Sequence, residues 1–201
     1  MSQGSDEPNT AAQNMLQGTP NGLGRLLAEA SQNPKRGAPP LEKWNPAYCG
    51  EMDLRIDAAG EWFHEGTRMT RQSLVDLFAT VLWREDDRYF LKTPVEKIGI
   101  TVEDVPLLVV SMDQVTDDDG LTWLYCQTKT GDTVRIDAEH PIEIRDYQGE
   151  QRPYVRIRRN LDALIHRNAF YHLLELGQWS EDGMQVQLGS GSHVFCLNAL
   201  G

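Results

Sequence analysis

Positive charge is in short supply. The chain holds 19 Lys and Arg against 30 Asp and Glu, a formal net charge of −11 over 201 residues. That balance disfavours nonspecific binding to nucleic acid or to an anionic membrane surface. Long apolar runs are missing too. No stretch approaches the ~20 residues that a membrane-spanning helix needs. The opening MSQGSDEPNTAAQN lacks a basic start followed by an apolar run, so it does not read as a signal peptide. Cysteine is sparse: Cys49, Cys126 and Cys196 are far apart, odd in number and never spaced C-x-x-C. This excludes a zinc ribbon or a thioredoxin-type motif, and free thiols in a reducing compartment follow. The expectation is a soluble, cytoplasmic protein.

Sites for familiar chemistry are equally absent. The five histidines form no H-x-x-x-H or H-E-x-x-H pattern, and His166 and His172 fall on different faces of a helix. A calcium loop starting at Asp117 would want Glu at its twelfth position, where Thr128 stands. Gly189-Ser-Gly-Ser-His193 is followed by no lysine and is not a P-loop. Neither a metal nor a cofactor is implied.

What the chain does contain is repetition. Trp62-Phe63 leads through Arg71 and the apolar pair Leu74-Val75 to Tyr89-Phe90-Leu91. Tyr154-Val155 leads through Arg167 and Phe170-Tyr171 to Val186-Gln-Leu188. Each copy reads strand, helix, strand. Duplication predicts two similar lobes, and the seam between such lobes is a natural seat for a ligand.

The predicted class is α+β, mostly antiparallel strands with one main helix per lobe. Residues 1–21 read as a disordered leader. Residues 22–44 combine a short helix with an extended strap enforced by Pro39-Pro40, with Leu41 and Trp44 as pins. Residues 45–104 form an N-terminal lobe and 105–201 a C-terminal lobe. The first main helix is predicted from a Thr70 cap to about Arg84, the second from an Asn160 cap to about Leu176.

Arginines mark the candidate site. Stepping 100° per residue from Thr70 puts Arg71 on the apolar face with Leu74, Phe78, Val81 and Leu82. A cation there needs a carboxylate, such as Asp53 or Glu96, or a bound anion. Alternation places Tyr154, Arg156 and Arg158 on one strand face, and Arg152, Arg156, Arg158, Arg159 and Arg167 face a single acid, Asp162, between residues 152 and 167. Guanidinium groups beside aromatic rings suit a phosphate and a flat base; a solvated strand face is the plainer reading. Glu103-Asp104 are placed to pair with arginines of the opposite lobe. Cys49 could act as a nucleophile with His64 or His140, or be structural.

Taken together, Pro39-Pro40, Trp44-Asn45-Pro46, Cys49-Gly50, Asp53, Trp62-x-His64-x-Gly66, Arg71, Thr93-Pro94-x-Glu96, Val102-Glu103-Asp104-x-Pro106, His140-Pro141, Pro153-Tyr154-Val155-x-x-Arg158 and Arg167-x-x-Phe170-Tyr171 form a distinctive set. From about Pro39 onward the chain resembles a bacterial family of unknown function, family 1285. The resemblance implies a duplicated core, a C-terminal domain loosely like pleckstrin-homology folds, a nucleotide-like ligand between the domains and a role in signalling or stress response. The site expected on both grounds comprises Arg71, Glu103, Asp104, Tyr154, Arg158 and Arg167, holding a small anionic or nucleotide-like ligand. A cysteine-dependent enzyme and a protein-interaction adaptor are the alternatives.

Overall fold

The structure, a computed structural model, describes residues 39–198; the predicted leader and the helix from Gly22 lie outside them. A single turn of 3-10 helix at Leu41–Lys43 ends the strap. Leu41 is fully buried and Trp44 packs against the core, so both pin it as the sequence indicates.

The N-terminal lobe is built on strands β1 (Tyr48–Ile56), β2 (Trp62–His64), β3 (Thr67–Arg68), β4 (Leu82–Glu85), β5 (Arg88–Lys92) and β6 (Lys97–Val102), with helix α1 (Gln72–Thr80) between β3 and β4. The C-terminal lobe carries β7 (Leu107–Thr116), β8 (Thr122–Thr128), β9 (Thr133–Arg135), β10 (Ile142–Tyr147), β11 (Glu150–Arg158) and β12 (Leu161–Ile165), then helix α2 (Arg167–Glu175). A third sheet of β13 (Gln178–Trp179), β14 (Gln185–Ser190) and β15 (His193–Asn198) completes it.

The two six-stranded sheets share one topology. Their orders are β3-β2-β1-β6-β5-β4 and β10-β11-β12-β7-β8-β9. Each is a pair of antiparallel three-stranded meanders in which the first strand lies parallel to the last, β1 beside β6 and β7 beside β12. The duplication is therefore present, in a register different from the string comparison. The repeating unit is the pair of meanders. The helix enters after the third strand in one lobe and after the sixth in the other.

Alternation explains the strands. Leu54 and Ile56 of β1 are buried while Asp53 and Arg55 are not; Val155 and Ile157 of β11 point into the core. Asp57 makes the turn that follows β1, its Oδ1 accepting from the backbone N–H of Ala59 and Glu61, each at 2.9 Å. In α1, Val75, Phe78 and Ala79 are buried, and the Phe78 ring stacks on Trp62 at 6.3 Å. The third sheet is latched to the second by Ser190, whose buried hydroxyl donates to the Ile136 carbonyl at 2.6 Å and accepts from the Leu124 N–H at 3.0 Å.

Both helices are shorter than predicted. Residue 71, not Thr70, is the N-cap of α1, and the chain leaves the helix at Val81 so that Leu82–Glu85 can form a strand. The second helix begins at Arg167 behind a His166 cap that accepts from the Asn168 N–H, and Leu161–Ile165 is β12. Periodicity in so short an apolar run does not separate helix from strand; the hairpin turn at Arg159, whose φ is +51°, decides it.

Candidate functional site

The seam between lobes is closed by cross-ties. Lys129, in the β8–β9 turn, meets the Glu61 carboxylate at 2.7 Å, and Gln72 donates to the Lys129 carbonyl at 3.3 Å. Arg84 and Asn160 exchange backbone-directed bonds, Arg159 pairs with Glu42, and Arg152 Nη1 donates to the Ala58 carbonyl at 3.1 Å. Gly60 is held with φ +78° against Leu108, whose Cβ would lie 3.1 Å from an added methyl. A cavity of about 20 Å³ lined by Glu61, Trp62, Gln72 and Lys129 lies in this seam, room for about one water.

Burial pushes the Glu61 carboxyl up, but hydrogen bonds from Lys129 and Arg68 outweigh it and hold the group below the usual carboxylate range. Its contribution is present above the unfolded pKa of ~4.3 and is lost as pH falls through the lower folded value. Glu61→Gln should therefore flatten the fall of stability with pH below ~4, measured by urea unfolding at stepped pH. An unchanged acid limb would contradict the tie.

Of the predicted site residues, Asp104, Tyr154 and Arg158 lie at that seam, and Arg71, Glu103 and Arg167 do not join them. Arg71 is exposed and bonds Ser73 Oγ at 3.3 Å. It precedes the first helical residue, with extended φ −83° and ψ 98°, so the helical stepping that put it on the apolar face does not apply to it. Arg158 is the seam's tie rather than a ligand contact: one guanidinium nitrogen pairs with Asp132, another donates to the Ala79 carbonyl at the C-terminal end of α1. Arg71 stands at that helix's other end, about 12 Å along its axis. Arg167 is exposed and donates to Tyr171 Oη at 3.1 and 2.9 Å. Glu103 bonds Arg55 of its own lobe at 2.5 Å. Asp104 and Tyr154 are brought together, the phenol donating to Asp104 Oδ2 at 2.8 Å beside Arg152 Nη1 at 3.3 Å. Burial, then the Asp104 carboxylate, push the Tyr154 phenol well above its ordinary value.

A second group was not anticipated. On the polar face of β10, β11 and β12, the nearly buried Asp162 (4% exposed) accepts from Arg145 Nη1 at 3.0 Å and Arg156 Nε at 2.5 Å. Strand register causes this: Arg156 lies opposite Asp162, and Arg145 opposite Arg152. A register shift between Arg156 and Arg158 sends Arg158 to other partners. Both arginine side chains at Asp162 remain about 40% exposed. They open on a cleft of about 240 Å³ lined by Glu139, Glu143, Arg145, Tyr154, Arg156 and Asp162 among others. Arg145 also lies 4.1 Å over the Tyr154 ring, which is 3% exposed, so that ring has no face left for a flat ligand. One sequence signal could have located the group: Asp162 is a lone acid in an apolar run, directly across the hairpin from Arg156.

Cys49 is exposed at the start of β1, its thiol reaching the Ala47 carbonyl. His64 pairs with Leu54, five residues further along, and the His140 ring is bonded to the Arg156 carbonyl at 2.9 Å. Neither histidine is brought to Cys49 as a base. Burial drives the Cys126 thiol up to about 12. A thiol reagent at neutral pH should label Cys49 and Cys196 and reach Cys126 only after unfolding. Rapid labelling of Cys126 in the folded protein would contradict this packing. Among the described residues, no cluster of His, Cys, Asp or Glu is placed to hold a metal ion, and no helix is long and apolar enough to cross a membrane.

Fold and site together define a two-lobe α+β protein of duplicated meander sheets, with an arginine-lined cleft on the second. The family model for the N-terminal domain of DUF1285, a domain of unknown function, matches residues 39–105, and that for its C-terminal domain matches residues 106–197. The chain belongs to the DUF1285 family. It is similar to the crystal structure of a DUF1285 family protein from Silicibacter pomeroyi DSS-3, with 37% identity and TM-score 0.74, covering 86% of this chain and 94% of that one. A second, from Shewanella baltica OS155, has 30% identity and TM-score 0.51, covering 62% and 91%. No curated protein matches the chain.

Proposed function

We propose that this protein binds a small molecule through an anionic group, without transforming it, in the cleft on the polar face of the C-terminal lobe. One observation carries the reading. Arg145 and Arg156 are held side by side by a nearly buried carboxylate, yet each keeps a guanidinium edge open to the same cleft. Asp162 uses one oxygen for each arginine. That leaves an Nη2 on both with no protein partner among the described residues, a preset fork for a carboxylate or phosphate oxygen. At about 240 Å³ the cleft falls below the 300–1,000 Å³ of drug-sized ligand pockets, which favours a compact metabolite over a whole nucleotide.

A binding protein of this kind suits a sensing or signalling role, its occupancy passed on through the β10–β11 face. The C-terminal lobe, two meanders followed by a helix, supports a loose pleckstrin-homology-like reading. Two exposed free thiols support a reducing, cytoplasmic setting.

A thermal-shift screen of small carboxylates, amino acids and phosphate esters tests the binding. A true ligand at a hundred times its dissociation constant stabilises by about 2.7 kcal/mol. Arg145→Ala or Arg156→Ala should weaken it by about 1.5–3 kcal/mol. A screen in which nothing stabilises the wild type, or in which every hit is indifferent to both substitutions, overturns the reading.

A further inference from the structure

We propose that the guest of this cleft is a zwitterion, specifically a free α-amino acid; the inference rests on the anion-binding reading and narrows it. The charges lining the cleft do not suit a simple anion. Arg145 and Arg156 contribute two positive charges, and Asp162 between them neutralises one. Glu139 and Glu143 line the same cleft, both exposed. Their side chains carry no ion pair or hydrogen bond with any described residue, whereas the other carboxylate of the cleft is saturated by arginine. The lining is therefore net negative by one charge. A phosphate or dicarboxylate entering it gains at the guanidiniums and meets the like charge of the two glutamates that line the same cleft.

A molecule with an ammonium beside its carboxylate gains at both ends. Strand geometry sets the two ends apart by a suitable span. Glu143 and Arg145 are alternate residues of β10 on one face, with Cα atoms about 6.8 Å apart, and Glu143 is paired across the sheet with Tyr154. Both residues line the cleft together with Tyr154 and Asp162. The carboxylate sits on the open edges of Arg145 and Arg156, and the ammonium, with its three donors, lies between Glu139 and Glu143. No stacking platform is offered, because Arg145 covers the Tyr154 ring and Asp104 holds its hydroxyl. The recognised part of the guest is thus the amino-acid backbone rather than a base or an aromatic group.

The test compares a mixture of the standard α-amino acids with the same mixture N-acetylated and with acetate, by thermal shift and by titration monitored through the arginine side-chain signals of the full chain. The free amino acids are expected to bind at least tenfold more tightly than their acetylated forms, which keep the carboxylate and lose the ammonium. The advantage should shrink to threefold or less in a Glu139→Gln/Glu143→Gln variant. If acetylated and free forms bind alike at Arg145 and Arg156, the zwitterion is wrong and the anion site stands. If none of the three probes perturbs either arginine, the inference and the anion-binding reading fall together.

Discussion

Arg158→Ala should lower stability by about 3 kcal/mol, a drop in melting temperature of roughly 6–12 °C for a chain of this size. The reasons are additive in kind. Asp132 loses its cation, and the pair is mostly sheltered, at 18% and 21% exposure. The Ala79 carbonyl at the end of α1 loses the donor and the positive charge that complement the helix dipole there. The two losses act on opposite lobes, so the seam itself should loosen. Arg158→Met keeps the aliphatic stem and removes the donors. If the charge and its bonds matter, Met should recover less than half of the loss, and Asp132→Asn should cost little more in the Arg158→Ala background. Full recovery by Met would show that Arg158 contributes through packing alone.

Asp162→Ala is the second large effect. The carboxylate is nearly buried and neutralises Arg145 and Arg156 at once. Without it, two like charges face each other, and Arg145 already has a buried Nε with no partner. Removing the shared partner of a buried cluster costs about 3–5 kcal/mol. Here both arginines are about 40% exposed, and water screening brings the expectation to about 2–3 kcal/mol. High salt should narrow the gap between variant and wild type, since added ions screen the bared repulsion. Urea unfolding at low and high salt measures both. A loss below ~0.5 kcal/mol would mean that the arginines are solvated independently of Asp162.

The strand framework was legible because alternation is local. Met52, Leu54 and Ile56 alternate with polar residues along β1, and Asp117-Asp-Asp-Gly120 carries the hairpin-turn residues between β7 and β8. The duplication was legible too, though not its register, because the matching strings flank the helices while the repeating unit is a pair of meanders whose closure depends on distant pairings, β1 with β6 and β7 with β12. The helix at Arg71 misled for a definite reason: a residue one place outside a helix does not obey helical periodicity, and its side chain is free to turn to solvent. Arg158, expected to contact a ligand, is sheltered at the seam by partners, Asp132 and the Ala79 carbonyl, that come from 26 and 79 residues away. The Arg145–Asp162–Arg156 group stayed hidden because residues 161–165 were assigned to a helix. Read as a strand, the hairpin register alone sets Asp162 against Arg156.

On the proposed reading, the anion seat lies on the open face of the C-terminal lobe and not between the lobes. Arginine side-chain nitrogen NMR during a titration with glycine, which carries both the carboxylate and the ammonium, separates the two placements. The Nε–H signals of Arg145 and Arg156 should shift together and saturate, while those of Arg158, Arg71 and Arg167 stay in place. Saturable shifts at Arg158, or at Arg71 and Arg167, with Arg145 and Arg156 unmoved would contradict it.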